Sequence, residues 1–373
     1  MSAAKKRTTP NAIARLNDYG QSPWYDNLTR QLVTSGGLAR MIEEDGIRGM
    51  TSNPTIFEKA MAGGEGYDEQ LADLDRQGAA IDAIYWDLVT DDIANAADTL
   101  RPVYDDANGG DGFVSVEVAP DRAHEVQPTV DQALWLHSRL HRPNVMVKIP
   151  ATKEGIPAIE AVIAAGHSVN ITLIFSLDRY SEVIDAYFRG LEKLAESGGE
   201  LARIASVASF FVSRVDTEAD RRLPEGSPLR GKVAVANAKL AYKLFRERFS
   251  GERWDALAAK GARLQRPLWA STSTKNPAYS DTLYVDELVG RDTVNTLAQA
   301  SIDALRDHGN PKPDTVEQDV EGAEQVMRDL ADAGVDYDDL TATIEREGVD
   351  AFERSYLDCL ATLDKRRKEL RSA

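Results

Sequence analysis

Short apolar runs alternate with longer helical patterns along most of this chain, and that alternation constrains its fold more than any other feature. It is typical of βα units, which place parallel strands side by side. The strand candidates are 22–27, 46–53, 112–118, 144–150, 168–175, 205–213, 266–272 and 292–298. Eight such units can close into a barrel whose catalytic groups belong at the carboxyl ends of the strands.

The predicted architecture is therefore a (β/α)8 TIM barrel with helical insertions and a helical C-terminal extension. A chain of 373 residues is long enough for one large barrel, and we expect a single domain over residues 1–373. The barrel would occupy about residues 20–310, and C-terminal helices about residues 311–373. Within the barrel, 28–45 is expected to be helical, Pro54 to open the next helix, and 56–110 to insert two or more helices.

Composition excludes several classes of protein. A net charge of −17 argues against a general nucleic-acid binder, which would normally present a basic face. No apolar run reaches the roughly 18 residues of a membrane span, and the basic segment 1–16 lacks a signal-peptide core, so we expect a short mobile lead-in and a cytoplasmic protein. The lone Cys359 is interpreted as a buried filler, and the five histidines show no metal-ligand spacing. The sequence leaves the oligomeric state open, a homo-oligomer included.

Polar residues alternate with aliphatic ones on several of the predicted strands. Ser115 and Glu117, then Lys148, then Asn170 and Thr172 occupy the faces opposite to Val, Ile and Leu on successive strands. The aliphatic faces would pack against the surrounding helices, which directs the polar side chains into the barrel. A polar interior is costly to desolvate unless its groups satisfy one another or a ligand. The pattern therefore predicts a site inside the barrel.

Lys148 is the candidate nucleophile of that site. A lysine in solution has a pKa of about 10.4, so that few molecules carry a free amine at neutral pH. Burial beside apolar groups and other cations generally lowers a lysine pKa and makes the amine able to form a Schiff base. The alternative interpretation is a lysine that reaches to solvent from a strand end, or that pairs with Glu117.

Two carboxylates and several small polar side chains accompany the lysine. Asp26 and Glu117 come at the ends of the first and third strands, where they could shuttle protons, although ion pairing with barrel cations explains them equally well. Thr51 and Asn53 share a face of the second strand. With Asn170 and Thr172 of the fifth strand, they could hold a water and substrate hydroxyls, or form a packed polar layer.

Cations follow the later strands, where α/β barrels often bind phosphate. Arg214 and Lys275 stand near the ends of the sixth and seventh strands, and Ser209 could add a hydroxyl donor. We expect a bulge to bring Ser209 and Arg214 to the same site, because their spacing does not keep strand parity. For each cation the alternative is a surface salt bridge.

Seven motifs carry a resemblance to a known family. GQSPWYDN, GMTSNPTIFEKA, VSVEVAP, NVMVKIPAT, SVNITLIFS, SFFVSR and WASTSTKNP occur in one order between Gly20 and Leu297. In these motifs the sequence resembles the transaldolase family in its longer bacterial branch, which belongs to the class I (Schiff-base) aldolases. The family's C-terminal helix lies over the barrel mouth, which implies the same for the tail of this chain.

The resemblance also implies roles for individual residues. Lys148 would be the Schiff-base lysine, and Asp26 the acid/base for C–C cleavage and formation. Glu117 would act with Thr172, through a water, in building and dehydrating the carbinolamine. The implied substrate-binding residues are Thr51, Asn53 and Asn170 at the dihydroxyacetone unit, and Ser209, Arg214 and Lys275 at the phosphate.

The short branch of the family has an arginine where Lys275 stands. A lysine offers a point charge instead of a bidentate fork, so phosphate affinity is expected to differ.

The implied reaction transfers a dihydroxyacetone unit from sedoheptulose 7-phosphate to glyceraldehyde 3-phosphate, giving erythrose 4-phosphate and fructose 6-phosphate. No metal or organic cofactor would be needed, and sugar phosphates would be the partners. Two other functions stay open: a simple aldolase on the same barrel, and a catalytically silent sugar-phosphate-binding barrel.

Overall fold

A computed structural model describes residues 11–63 and 66–372. The first ten residues of the predicted basic lead-in therefore lie outside the described residues. From Ala12 onward the lead-in prediction is wrong, because the chain is helical there and buries Ile13 and Leu16 completely. Apolar side chains at this helical spacing pack against the core, so the segment is part of the fold.

Eight parallel strands form a closed barrel. They pair in chain order, and β8 pairs with β1, which leaves no free edge. Their bounds are β1 Gln21–Tyr25, β2 Gly49–Thr51, β3 Val114–Glu117, β4 Val145–Pro150, β5 Val169–Ile174, β6 Ser206–Phe211, β7 Gln265–Ala270 and β8 Thr293–Leu297. Each lies within a predicted strand apart from one residue at the starts of β1 and β7, so the barrel prediction is confirmed.

Helices connect and cover the strands. Their bounds are α1 Ala12–Asp18, α2 Arg30–Thr34, α3 Gly37–Asp45, α4 Pro54–Ala62, α5 Asp68–Arg76, α6 Ile81–Asp106, α7 Val126–Leu140, α8 Gly155–Ala164, α9 Leu177–Glu196, α10 Ser213–Arg222, α11 Val233–Arg248, α12 Glu252–Ala258, α13 Leu283–Glu287, α14 Gln299–His308, α15 Val320–Asp332 and α16 Tyr337–Ser372. None of these helices is both long enough and apolar enough to span a membrane.

Local chemistry explains the start of α4 and the break between α2 and α3. Asn53 caps α4 by accepting a hydrogen bond from the backbone N–H of Ile56, and Pro54 takes the first helical position, as predicted. The predicted helical segment 28–45 is divided in two, because Gly36 adopts a left-handed conformation between α2 and α3.

The insertion and the tail are helical, as predicted. The insertion consists of α4, α5 and α6, and the tail of α15 and α16. Helix α16, 36 residues long, contacts all three insertion helices through Ser355, Tyr356 and Arg366. The interpretation of residues 1–373 as one domain stays a prediction.

Candidate active site

A cavity opens at the carboxyl ends of the barrel strands. It encloses about 690 Å³ of space, part of it open to solvent. Strand ends, the loop after β7 and one side chain of α16 form its walls. Of the ten predicted site residues, those that line it are Asp26, Thr51, Asn53, Lys148, Thr172, Ser209, Arg214 and Lys275.

Lys148 points into the barrel, as the strand parity predicts. It stands opposite Glu117 in the register of β3 and β4, so the two side chains share the interior face. Its Nζ lies 3.4 Å from Glu117 Oε2 and donates a hydrogen bond to the carbonyl oxygen of Ser52 at 3.1 Å. Both side chains are only 6% exposed. The amine is thus held at the bottom of the cavity, with Glu117 buried behind it.

Burial changes the proton affinity of Glu117. The loss of solvent raises the pKa of Glu117, and the neighbouring Lys148 ammonium offsets only part of that rise. The carboxyl group can therefore hold a proton closer to neutral pH than an exposed glutamate does. A buried acid next to an amine suits the gain and loss of water at a carbinolamine.

Asp26 stands across the cavity from that pair. It follows β1, and its Oδ1 accepts a hydrogen bond from the hydroxyl of Thr51 at 2.6 Å. This contact fixes the carboxylate at the cavity wall, while no described residue donates a hydrogen bond to its second oxygen, which stays available to a ligand. Thr51 therefore orients Asp26 in addition to lining the cavity.

Asn170 lies one layer below the cavity. Its amide nitrogen donates to Ser115 Oγ at 3.0 Å, and its oxygen accepts from Ser209 Oγ at 2.7 Å. The side chain is fully buried and does not line the cavity. Asn170 thus belongs to a buried polar layer, but its partners are Ser115 and Ser209 and not Thr51, Asn53 or Thr172. A direct contact between Asn170 and substrate stays a prediction.

Strand β5 is irregular at Thr172. The register with β6 shifts between Ile171 and Ile174, and Leu173 adopts φ 59°, in the left-handed region. Such strained residues concentrate at functional sites. Thr172 Oγ1 lines the cavity and is buried, yet no residue in the described part of the chain hydrogen-bonds to it. A buried hydroxyl without a partner is suited to binding a water or a ligand.

Arg214 reaches the cavity by a different route from the one predicted. No bulge joins it to Ser209: β6 pairs regularly with β7 through Phe211, and Arg214 lies in the first turn of α10. Its Cζ lies 5.3 Å from the centre of the Phe211 ring. Burial lowers the pKa of the guanidinium, although Glu117 partly counteracts this. The expectation of a bulge was wrong because the strand ends before the arginine.

Lys275 lies on the exposed rim of the cavity, in the loop after β7. Its Nζ donates a hydrogen bond to Ser273 Oγ at 2.9 Å. Partial desolvation lowers the Lys275 pKa, and the positive charge of Arg214 lowers it further. This repulsion indicates that the two cations face the same part of the cavity. An anion bound there would relieve the repulsion.

Two aromatic residues of the site were missed by sequence reasoning. Phe211 shares strand parity with Ser209, so the same alternation indicates its position. Phe352 belongs to α16, far from every motif, and no sequence signal identified it. Among the described residues, no group of three or more histidine, cysteine, aspartate or glutamate side chains could hold a metal ion.

Comparisons with known proteins agree with this geometry. The family model described as Transaldolase/Fructose-6-phosphate aldolase matches residues 23–363. A transaldolase of Saccharopolyspora erythraea is 51% identical over 359 residues, which cover 95% of this chain and 98% of that protein. Transaldolase 1 of Streptomyces coelicolor is 51% identical over 96% of this chain and 95% of its own length. A transaldolase of Mycobacterium bovis is 49% identical, with 94% and 95% covered.

Proposed function

The chain belongs to the transaldolase/fructose-6-phosphate aldolase family, and on that premise we propose that Lys148 is the amine through which it bonds its substrate. The enzyme is a transferase of the pentose phosphate pathway. It moves a dihydroxyacetone unit from sedoheptulose 7-phosphate to glyceraldehyde 3-phosphate, which yields erythrose 4-phosphate and fructose 6-phosphate. The observation that carries the residue assignment is the convergence of Lys148, Glu117 and Asp26 at one cavity.

The first step forms the Schiff base. The neutral Lys148 amine attacks the ketose carbonyl carbon, and the carbonyl oxygen becomes the carbinolamine hydroxyl. Glu117, whose pKa is raised by burial, supplies the proton with which that hydroxyl leaves as water. Thr172, whose hydroxyl lacks a partner within the described residues, would hold this water. The imine then carries the positive charge and acts as the electron sink.

The second step breaks the carbon–carbon bond. Asp26 removes the proton from the hydroxyl on the carbon of the breaking bond that lies farther from the imine, and the electron pair of that bond flows into the imine. The aldose phosphate leaves as an aldehyde, while the three-carbon enamine stays on Lys148. Thr51 keeps Asp26 oriented during this transfer. The acceptor aldehyde reverses the sequence, with Asp26 returning the proton.

The phosphate end of the substrate would lie against Arg214, Ser209 and Lys275. The Arg214 guanidinium donates no hydrogen bond to any described residue, which leaves its donors available for phosphate oxygens. The net charge of −17 repels anionic substrates at long range, so local cations must provide the attraction.

The lysine itself supplies the electron sink, so we propose no cofactor. We also propose a cytoplasmic location, because charged sugar phosphates do not cross a bilayer unaided. The oligomeric state stays a prediction.

The test is to reduce the enzyme with borohydride in the presence of fructose 6-phosphate. We expect an added three-carbon unit on the peptide that contains Lys148. Lys148→Arg, which keeps the positive charge but forms no imine, is the matched control and should give neither adduct nor turnover. An active native enzyme without that adduct would exclude the mechanism.

A second assay separates transfer from simple aldol cleavage, the other activity in the family's description. With fructose 6-phosphate and erythrose 4-phosphate, a transaldolase forms sedoheptulose 7-phosphate, whereas an aldolase releases free dihydroxyacetone. Ligand binding without either product would indicate the silent binding barrel.

A further inference from the structure

Helix α16 contributes to the cavity from outside the barrel. Phe352 is 7% exposed, and the centre of its ring lies 6.0 Å from Lys148 Nζ and 6.0 Å from Arg214 Cζ. One aromatic ring is thus equally close to the cation assigned to covalent chemistry and to the cation assigned to phosphate.

Arg214 depends on rings for its orientation. With no hydrogen bond to the described residues, its guanidinium contacts Phe211 at 5.3 Å and Phe352 at 6.0 Å. Both distances are within the range of cation–π attraction. The second ring comes from α16, so the helix helps to set where the guanidinium points.

Gly348 precedes Phe352 by one helical turn and lies on the same side of α16. A Cβ atom added there would stand 3.0 Å from Arg214 Nη1 and 3.0 Å from Leu173 Cδ2. Glycine is unfavourable inside a helix, but at this position it leaves the room that the guanidinium occupies.

The helix is held by contacts away from the cavity. Thr55 and Ser355 share a hydrogen bond of 2.7 Å, and Tyr356 donates to Asp82. Further along, Arg366 pairs with Asp68. These contacts are distributed along α16 and hold it whether or not a ligand is bound, so the loss of any one of them leaves the others in place.

We propose that Phe352 and Gly348 are positioning residues that aim Arg214 at the phosphate of the sugar and so set its distance from Lys148. Phe352 supplies the ring under which the guanidinium lies, and Gly348 supplies the space beside it. The selected substrates are phosphorylated aldoses and ketoses of matching length. The proposal rests on the function proposed above, because it assumes that Arg214 binds phosphate.

The test compares erythrose 4-phosphate with erythrose as acceptor, using fructose 6-phosphate as donor. The measured quantity is the ratio of the two kcat/KM values. Any effect of a substitution on Lys148 is common to both acceptors and cancels in that ratio. An effect transmitted through Arg214 concerns only the phosphorylated acceptor and remains.

Phe352→Leu keeps an apolar side chain but removes the ring, and we expect the ratio to fall about fivefold. Gly348→Ala should lower it about threefold by displacing Arg214, even though alanine raises the thermal midpoint or leaves it unchanged. Phosphate preference would then fall without any loss of stability, which a purely structural role for α16 does not allow.

Tyr356→Leu is the matched control, since it removes an aromatic ring one turn further along α16 that contacts neither Lys148 nor Arg214. It should lower the thermal midpoint and leave the ratio unchanged. An unaltered ratio in Phe352→Leu or in Gly348→Ala overturns the proposal, as does an equal fall in all three variants. If Phe352→Leu does not fold, Gly348→Ala decides alone. A native enzyme that does not prefer the phosphorylated acceptor would instead refute the phosphate site of the proposed function.

Discussion

Both ends of the barrel interior carry polar side chains. At the base, where the strands begin, these side chains pair with one another, whereas at the mouth, where the strands end, several of them lack partners. At the base, Arg266 donates to Ser22 at 2.8 Å and lies 3.5 Å from Asp111. Asp111 also accepts hydrogen bonds from Ser22 and from the indole of Trp24. These groups satisfy one another, which is how a buried charge normally persists.

At the mouth, several comparable polar groups have no hydrogen-bond partner among the described residues. The hydroxyl of Thr172 is buried without a partner in the described chain, and Arg214 contacts rings instead of acceptors. Lys148 and Glu117 form a pair, but it opens onto a cavity. Polarity inside a barrel therefore does not by itself mark a site; incomplete pairing at the carboxyl ends of the strands does.

The largest expected effect is that of Asp26→Asn at the mouth. Loss of the proton acceptor should lower kcat by about 10³-fold, or about 4 kcal/mol, because C–C cleavage then lacks its base. In the proposed mechanism Schiff-base formation uses Lys148 and Glu117, so it should persist. Borohydride should therefore trap the intact six-carbon sugar phosphate on Lys148, where the native enzyme yields a three-carbon adduct.

The same substitution at the base provides the control for that experiment. Asp111→Asn should leave a three-carbon adduct on the folded fraction, since Asp111 does not reach the cavity. A three-carbon adduct in Asp26→Asn, at native yield, would remove Asp26 from the cleavage step.

Asp111→Asn should instead act on stability. It leaves Arg266, which is 17% exposed, without its buried counter-charge, and we expect a loss of about 3 kcal/mol in the free energy of unfolding. Asp98→Asn removes an ion pair with Arg142 at the surface, where Asp98 is 60% exposed, and should cost less than about 1 kcal/mol. Equal losses in urea denaturation would contradict the view that the base is a structural network.

The strands and most of the site could be predicted from the sequence because both follow from local rules. Period-2 alternation placed Lys148 and Glu117 on one face, and the register of β3 with β4 then brings them together. Capping chemistry located the start of α4 at Pro54. The motifs that contain Ser209 and Lys275 indicated that both residues belong to the site, and both line the cavity; their contact with phosphate stays a prediction.

The features that could not be predicted from the sequence depend on contacts between distant parts of the chain. Phe352 enters the cavity because α16 crosses the barrel mouth, and no local pattern encodes that path. The left-handed Leu173 breaks the parity predicted for β5. No sequence pattern pairs Arg266 with Asp111, because only the closure of the barrel places them side by side.

The smallest effect concerns a histidine pair at the base, His137 on α7 and His167 before β5, whose rings stack with centres 4.4 Å apart. Burial lowers the pKa of His137 to about 3, and His167 adds to the shift. The pKa of His137 in the folded protein lies below its unfolded value of about 6.5. The stability that the neutral His137 ring contributes is therefore complete above pH 6.5 and is lost as the pH falls towards 3.

Between pH 7.5 and pH 5 the contribution of His137 to the free energy of unfolding should fall by about 2 kcal/mol, because the unfolded chain binds a proton at His137 that the folded chain does not bind. His137→Gln, whose amide can donate to the carbonyl oxygen of Ser168 as the ring nitrogen does, should lose correspondingly less stability on acidification. The free energy of unfolding from urea titrations at both pH values measures the difference. Parallel losses in the two proteins would show that the stacked ring does not control the acid sensitivity of the fold.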